Sequence, residues 1–195
     1  QYHLALWGGE AAGIVQPLNP LLSDEKLVSL MNAGGAKVLI AWGADDESGL
    51  WSKAMRIREL VPSLTTVLRV GAVGEHHAPG LPANVLDFAT ERAKERSDCL
   101  VSGRNIAPTD IAAYFHTGGT TGAPKLARHS HGAQVFTAWG CVKMQGVRPT
   151  DVTINGYPLF HVAGVLPGSL ASLSAGVEVV IPTTSLFRNR EVIKN

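Results

Sequence analysis

Between Tyr114 and Lys125 the chain reads Tyr-Phe-His-Thr-Gly-Gly-Thr-Thr-Gly-Ala-Pro-Lys, an apolar run that opens into glycines, threonines and a lysine. Glycine lets the backbone adopt positive φ and lets N–H groups come close to an anion. Threonine hydroxyls add donors for phosphate oxygens, and lysine adds a mobile positive charge. Pro124 stiffens the exit of the segment ahead of Lys125. Two common phosphate loops do not fit. The Walker pattern needs Gly-Lys-Ser/Thr in direct succession, but Ala123 and Pro124 separate Gly122 from Lys125, and Leu126 follows. The dinucleotide fingerprint GxGxxG is absent, because the glycines stand at 118, 119 and 122. The alternative is a plain Gly/Thr turn between two strands, which suits any single Gly-Thr pair but not the whole of Thr117 to Lys125.

Other side chains invite a chemical reading and have a plainer one beside it. His161 follows Tyr157-Pro158-Leu159-Phe160 and precedes an apolar stretch; a hydrogen-bonded, half-buried histidine is one reading and a pocket residue the other. His129 and His131 are not expected to bind a metal together, and His131 is read as support for the loop. His76-His77 reads as a solvated pair and Asp45-Asp46-Glu47 as an acidic cluster at a helix start. Phe136, Trp139 and Met144 recur at roughly helical spacing and are expected in a core or a pocket wall. Cys99 and Cys141 lie far apart, with no CxxC and no Cys/His metal spacing, so free thiols in a reducing compartment, the cytoplasm, are expected.

The elements that must position these residues follow from apolar periodicity. Ala11 to Val15 reads as a buried helix end or strand. Ser23 is placed as an N-cap with Asp24 and Glu25 in the first turn, Leu27, Leu30 and Met31 on one face, and Gly34-Gly35 as the stop. Lys37 to Trp42 is expected as a strand, and Leu50 to Val61 as a helix ended by Pro62, with Leu50, Trp51, Ala54, Ile57, Leu60 and Val61 on its apolar face. Thr65 to Val70 is a second strand and Gly71 to Pro82 a loop. Asn84 to Arg96 is expected as a helix with Val85, Phe88 and Ala89 inward, and Ser97 to Asp110 as irregular. Ile111 to His116 is a strand that feeds the Gly/Thr segment, and Ser130 to Gln145 a helix. Val152 to Tyr157 and Val177 to Ile181 are strands, with an apolar helix from about Val162 to Ala175 between them. This alternation predicts an α/β layered domain.

At 195 residues the chain is long enough for one domain with a full core. Hydrophobic residues make up 45% and charged residues 17%, with a net charge of +1. The scattered basic residues offer no electrostatic footprint for nucleic acid. No apolar stretch approaches the ~20 residues of a spanning helix. The first residues, Gln1-Tyr2-His3-Leu4, and the last, Phe187 to Asn195, read as cut ends of something longer.

Thr117 to Lys125 resembles the phosphate-binding signature of acyl-CoA synthetases and related adenylate-forming ligases, Thr-Ser/Gly-Gly-Thr-Thr-Gly-x-Pro-Lys-Gly. Asp110 and His131 resemble an acid and a histidine that accompany that signature. Tyr157 to Gly164 resembles the family's Pro-Leu-Phe-His-x-x-Gly landmark, and Pro17 to Leu22 its early Pro-x-Asn-Pro stretch. Leu126 departs from the pattern by replacing the usual glycine, and its Cβ crowds the loop exit. The resemblance implies a three-layer αβα, Rossmann-like subdomain, with residues 1–195 forming part of the AMP-binding N-terminal domain and the C-terminal lid domain outside the chain. It implies ATP-dependent activation of a carboxylic acid to an acyl-adenylate, followed by transfer to CoA. Thr117, Gly118, Gly119, Thr120, Thr121, Gly122 and Lys125 would bind the phosphates, and Lys125 and His161 would be catalytic. ATP, CoA and Mg²⁺ are implied, with Mg²⁺ on the phosphates and no metal ligand from this chain. The acid is expected to be a moderately apolar acyl or aryl acid. The acceptor stays open between CoA and a carrier protein, and a nucleotide-binding module without catalysis is the reading from another class. The adenine and ribose contacts match no position here, so the piece is expected to depend on the rest of its polypeptide and to self-associate when isolated.

Overall fold

Helix ends and strand pairing in the first half follow from a few residues. A computed structural model describes residues 1–44, 47–72, 75, 80–117 and 125–182. Helix α1 (Tyr2–Ala12) buries Leu6 and Glu10. At its carboxyl end Arg104 Nη1 donates to the carbonyls of Glu10, Ala11 and Gly13 at 3.2, 3.4 and 3.3 Å. A cation there satisfies orphan carbonyls and opposes the negative end of the helix dipole. Helix α2 (Asp24–Gly34) starts after Ser23 and stops at Gly35, whose φ of 63° is the left-handed geometry a glycine supplies. Leu27, Leu30 and Met31 are buried as expected. The Pro20 and Leu22 carbonyls ahead of it accept from Lys53 Nζ at 2.9 and 2.6 Å, which ties the early proline stretch to the next helix.

Strands β1 (Val38–Trp42), β2 (Thr66–Val70) and β3 (Val85–Asp87) form a parallel sheet in that order, with Val38 opposite Thr66 and Val67 opposite Val85. Helix α3 (Leu50–Arg58) makes the crossover from β1 to β2 and buries Ala54 and Ile57. It ends sooner than expected. Val61 is buried just past the helix, and Leu60, also beyond its last turn, is 58% exposed.

The helix expected over Asn84 to Arg96 is two elements. Asn84 sits at φ 64°, which breaks any helix there. Val85 to Asp87 then pair with β2, and Asp87 Oδ1 accepts from Thr90 N at 2.8 Å to cap α4 (Phe88–Ala93). Val85 is inward as a strand residue, while Ala89 is exposed. On β2, Arg69 is buried and its Nη2 donates to Glu75 Oε1 at 2.7 Å. The Ala72 N–H, then Arg69, hold the Glu75 carboxyl below its usual range.

Strand β4 (Ile111–Thr117) is paired with β5 (Lys125–Ser130), a strand that periodicity did not announce. Helix α5 (His131–Gln145) follows directly and ends on Gly146 at φ 63°. Strands β6 (Val152–Ile154) and β7 (Glu178–Val180) pair in parallel, Val152 opposite Glu178. Their crossover is α6 (Val162–Val165), a π-helical turn over Leu166–Ala171, and α7 (Ser172–Ser174). Val165, Leu166, Ala171 and Val177 are core residues there. Phe136, Trp139 and Met144 are not core: they are 70%, 55% and 90% exposed. The buried side of α5 is Gln134 and Ala138, so small residues make its contacts and the large ones face out.

The described residues group into two compact units. One takes in Gln1–Gln16, Pro20–Asn105 and the stretch His116–Leu126; the other takes in Pro17–Asn19, Ile106–Phe115 and the chain from Ala127 onward. The α/β class with parallel crossovers is as the sequence led us to expect. Among the described residues no helix is long and apolar enough to cross a membrane.

Candidate nucleotide-binding site

The Gly/Thr segment is framed by two strands. Thr117 is the last residue of β4 and Lys125 the first of β5. Thr117 Oγ1 donates to the Lys125 carbonyl at 3.5 Å, a long bond that joins the two ends of the loop. The Lys125 side chain is exposed, so its ammonium is available to an anion. Gly118, Gly119, Thr120, Thr121 and Gly122 lie outside the described residues, as do His76, His77, Asp45 and Asp46.

The chain that enters β4 is pinned to the start of α5. Ala107 N donates to Asp110 Oδ2 at 3.0 Å and closes a turn. The Asp110 carbonyl accepts from His131 N at 3.0 Å, and the Pro108 carbonyl accepts from Gly132 N at 2.8 Å. A Cβ on Gly132 would stand 2.9 Å from the Pro108 oxygen, so only glycine allows this approach. Ser130 Oγ accepts from Ala133 N at 3.1 Å and caps α5. Asp110 and His131 thus serve to fix where β4 enters and where α5 begins. The His131 Nε2 is buried without a hydrogen-bond partner. An apolar groove beside it is lined by Ile106, Ala107, Pro108, Val135, Phe136 and Trp139. His129, on β5, packs edge-on to Phe115 at 5.0 Å between ring centroids, and burial lowers its pKa.

His161 lies at the head of α6 and is exposed. Its Nδ1 accepts from Ala163 N at 3.2 Å as the helix cap. Its own N–H donates to the Pro158 carbonyl at 3.0 Å. Gly164 packs so closely on that same carbonyl that no Cβ could be accommodated, which accounts for the spacing from Pro158 to Gly164. Among the described residues no group of three or more His, Cys, Asp or Glu side chains could hold a metal ion. Cys99 and Cys141 are both free thiols.

Residues 4–195 match the family model described as "AMP-binding enzyme". The chain belongs to the AMP-binding enzyme family. It is 29% identical over 198 aligned residues to the marinolic acid–CoA ligase of a Pseudoalteromonas species, covering 97% of this chain and 29% of that protein. It is 33% identical over 129 residues to human long-chain fatty acid transport protein 3, covering 64% of this chain and 19% of that protein. Among solved structures, MbtA of Mycobacterium smegmatis aligns with a TM-score of 0.76 at 21% identity, over 99% of this chain and 34% of that one. The anthranilate–CoA ligase AuaEII, solved with anthranoyl-AMP, aligns with the same TM-score at 22% identity, over 92% of this chain and 32% of that one. These structural likenesses establish a shared fold. The chain spans about a third or less of the length of each of these proteins.

In this member of the AMP-binding enzyme family, sequence reasoning missed two features near the candidate site. Strand β5 alternates weakly, with Arg128 and His129 among its residues, so no apolar period announced it. Asn155 is a fully buried polar residue, whose signal was only an Asn-Gly pair inside an otherwise β-branched run.

Proposed function

We propose that this chain is the phosphate-gripping part of a ligase that activates a carboxylic acid with ATP and passes the acyl group to CoA. The observation that supports it most is the segment Thr117 to Lys125, bounded by paired strands in a chain that belongs to the AMP-binding enzymes. The relatives named as CoA ligases point the same way.

In the first half-reaction a carboxylate oxygen attacks the α-phosphorus of ATP. The new acyl–phosphate bond forms as the bond to the bridging oxygen breaks, and pyrophosphate leaves. The protein's task is to hold two anions in line and to offset charge on the leaving group. In this reading the N–H groups of Gly118, Gly119 and Gly122, the hydroxyls of Thr117, Thr120 and Thr121, and the Lys125 ammonium perform it. Magnesium would accompany the phosphates and offset their charge. The described residues form no cluster that could hold it by themselves. His161 is assigned to the carboxylate end of the acid, with an apolar acyl or aryl group beyond it. In the second half-reaction the CoA sulfur attacks the acyl carbon and AMP leaves. The two free thiols suit a reducing compartment such as the cytoplasm.

The test uses the polypeptide completed to the length of its relatives, with ATP, magnesium and a panel of acids, with and without CoA. Acid-dependent pyrophosphate release followed by thioester formation is the expected result. Adenylate that forms but never reaches CoA would move the acceptor to a carrier protein. ATP binding with no pyrophosphate release for any acid would leave a nucleotide-binding module and overturn the reading.

A further inference from the structure

Asn155 has no solvent exposure, and both ends of its amide are used. Nδ2 donates to the Gly164 carbonyl at 2.8 Å and to Ser169 Oγ at 2.9 Å. Oδ1 accepts from Tyr157 N at 3.2 Å. The equally buried Ser169 hydroxyl donates to the same Gly164 carbonyl at 2.9 Å. The backbone N–H of Asn155 donates to the Val180 carbonyl at 2.9 Å, which ties it to β7. Gly168 lies against the amide with no space for a Cβ.

One buried side chain therefore joins both ends of the segment Tyr157 to Gly164. It also reaches the π-helical turn that carries Ser169. Such turns are rare and recur at functional sites. Here the widened turn places Ser169 Oγ where it shares the Gly164 carbonyl. His161 stands inside the closed segment, bonded to Pro158 and Ala163. The network needs an amide. A carboxylate at this position would offer no N–H and would face the Gly164 carbonyl oxygen.

We propose that Asn155 is a positioning residue for acid activation, which sets the orientation of His161 through Tyr157 and Gly164. The inference rests on the assignment of His161 to the acid in the function proposed above. It is tested by a double-mutant cycle in the completed ligase, read as kcat and KM for the acid and KM for ATP. His161→Ala is expected to lower kcat/KM for the acid about ten-fold, roughly what one hydrogen bond to a charged group supports. Asn155→Ala is expected to act in the same direction with KM for ATP nearly unchanged. The double variant is expected to be no worse than His161→Ala alone, an outcome that a merely structural role would not produce. If the two single effects multiply, or if Asn155→Ala shifts ATP and acid kinetics alike, the positioning role is overturned. If His161→Ala itself leaves acid kinetics unchanged, the earlier assignment of His161 is overturned instead. Should Asn155→Ala fail to fold, Ser169→Ala, which removes one acceptor of the amide, carries the same cycle.

Discussion

Lys125 and His129 share β5 and illustrate opposite uses of one strand. Lys125 is exposed at its first position, where an ammonium can meet phosphate. His129 is packed against Phe115, and burial alone lowers its pKa. The fold therefore favours the neutral imidazole. A group whose folded pKa lies below its unfolded value, about 6.5, supports stability fully above that value. The contribution is lost as pH falls through the lowered folded pKa. Melting temperature should thus decline from neutral pH toward pH ~5, and His129→Gln should decline less over the same range. Parallel pH profiles for the two proteins would contradict this account of His129. The motif stands out as a pattern because three glycines, three threonines and one lysine fall within the nine residues Thr117 to Lys125. The cap on α6 was not legible, since nothing in the sequence tells a histidine that bonds Ala163 N from one that faces a pocket.

Helices bounded by strong stop signals were read closely from the sequence, and elements that change type were not. Ser23 and Gly35 bound α2, and Ser130 and Gly146 bound α5, because caps are local chemistry. Residues 84–96 misled because Val85, Phe88 and Ala89 keep helical spacing. The switch is made by the left-handed Asn84 and by pairing with β2, a partner distant in sequence. On α5, Phe136, Trp139 and Met144 were expected in a core or a pocket wall. They are not core, since Gln134 and Ala138 occupy the close contacts, but Phe136 and Trp139 line an apolar groove. The clamp between Pro108 and Gly132 gives a direct test at this scale. Gly132→Ala gains helix propensity, yet its Cβ would lie 2.9 Å from the Pro108 oxygen, which cannot withdraw without losing its bond to Gly132 N. The contact should dominate and lower stability by roughly 1–3 kcal/mol, seen as a lower denaturant midpoint. An unchanged midpoint would mean that the turn Ala107–Asp110 is free to move away from α5.

In the function proposed above the chain supplies a phosphate loop and one acid-facing segment, and it spans about a third or less of the length of its relatives. Adenylation needs the acid, the α-phosphate and a stabilising cation in one water-poor site. The 195-residue chain alone is therefore expected to fold, to bind ATP weakly and to make no thioester; turnover comparable to a complete ligase would refute that division of labour. Phe136, Trp139 and Met144 stand exposed on one helix, so the isolated chain should self-associate with rising concentration in sedimentation, and a monomer at all concentrations would contradict this. The central claim is that Lys125 and the loop before it hold the phosphates of ATP. Acid-dependent exchange of labelled pyrophosphate into ATP, measured on the completed ligase, tests it most directly. Removing one charged phosphate contact costs about 1.5–3 kcal/mol. Lys125→Ala should therefore slow exchange about ten- to hundred-fold while the protein stays folded, and exchange at the wild-type rate in that variant would contradict the account.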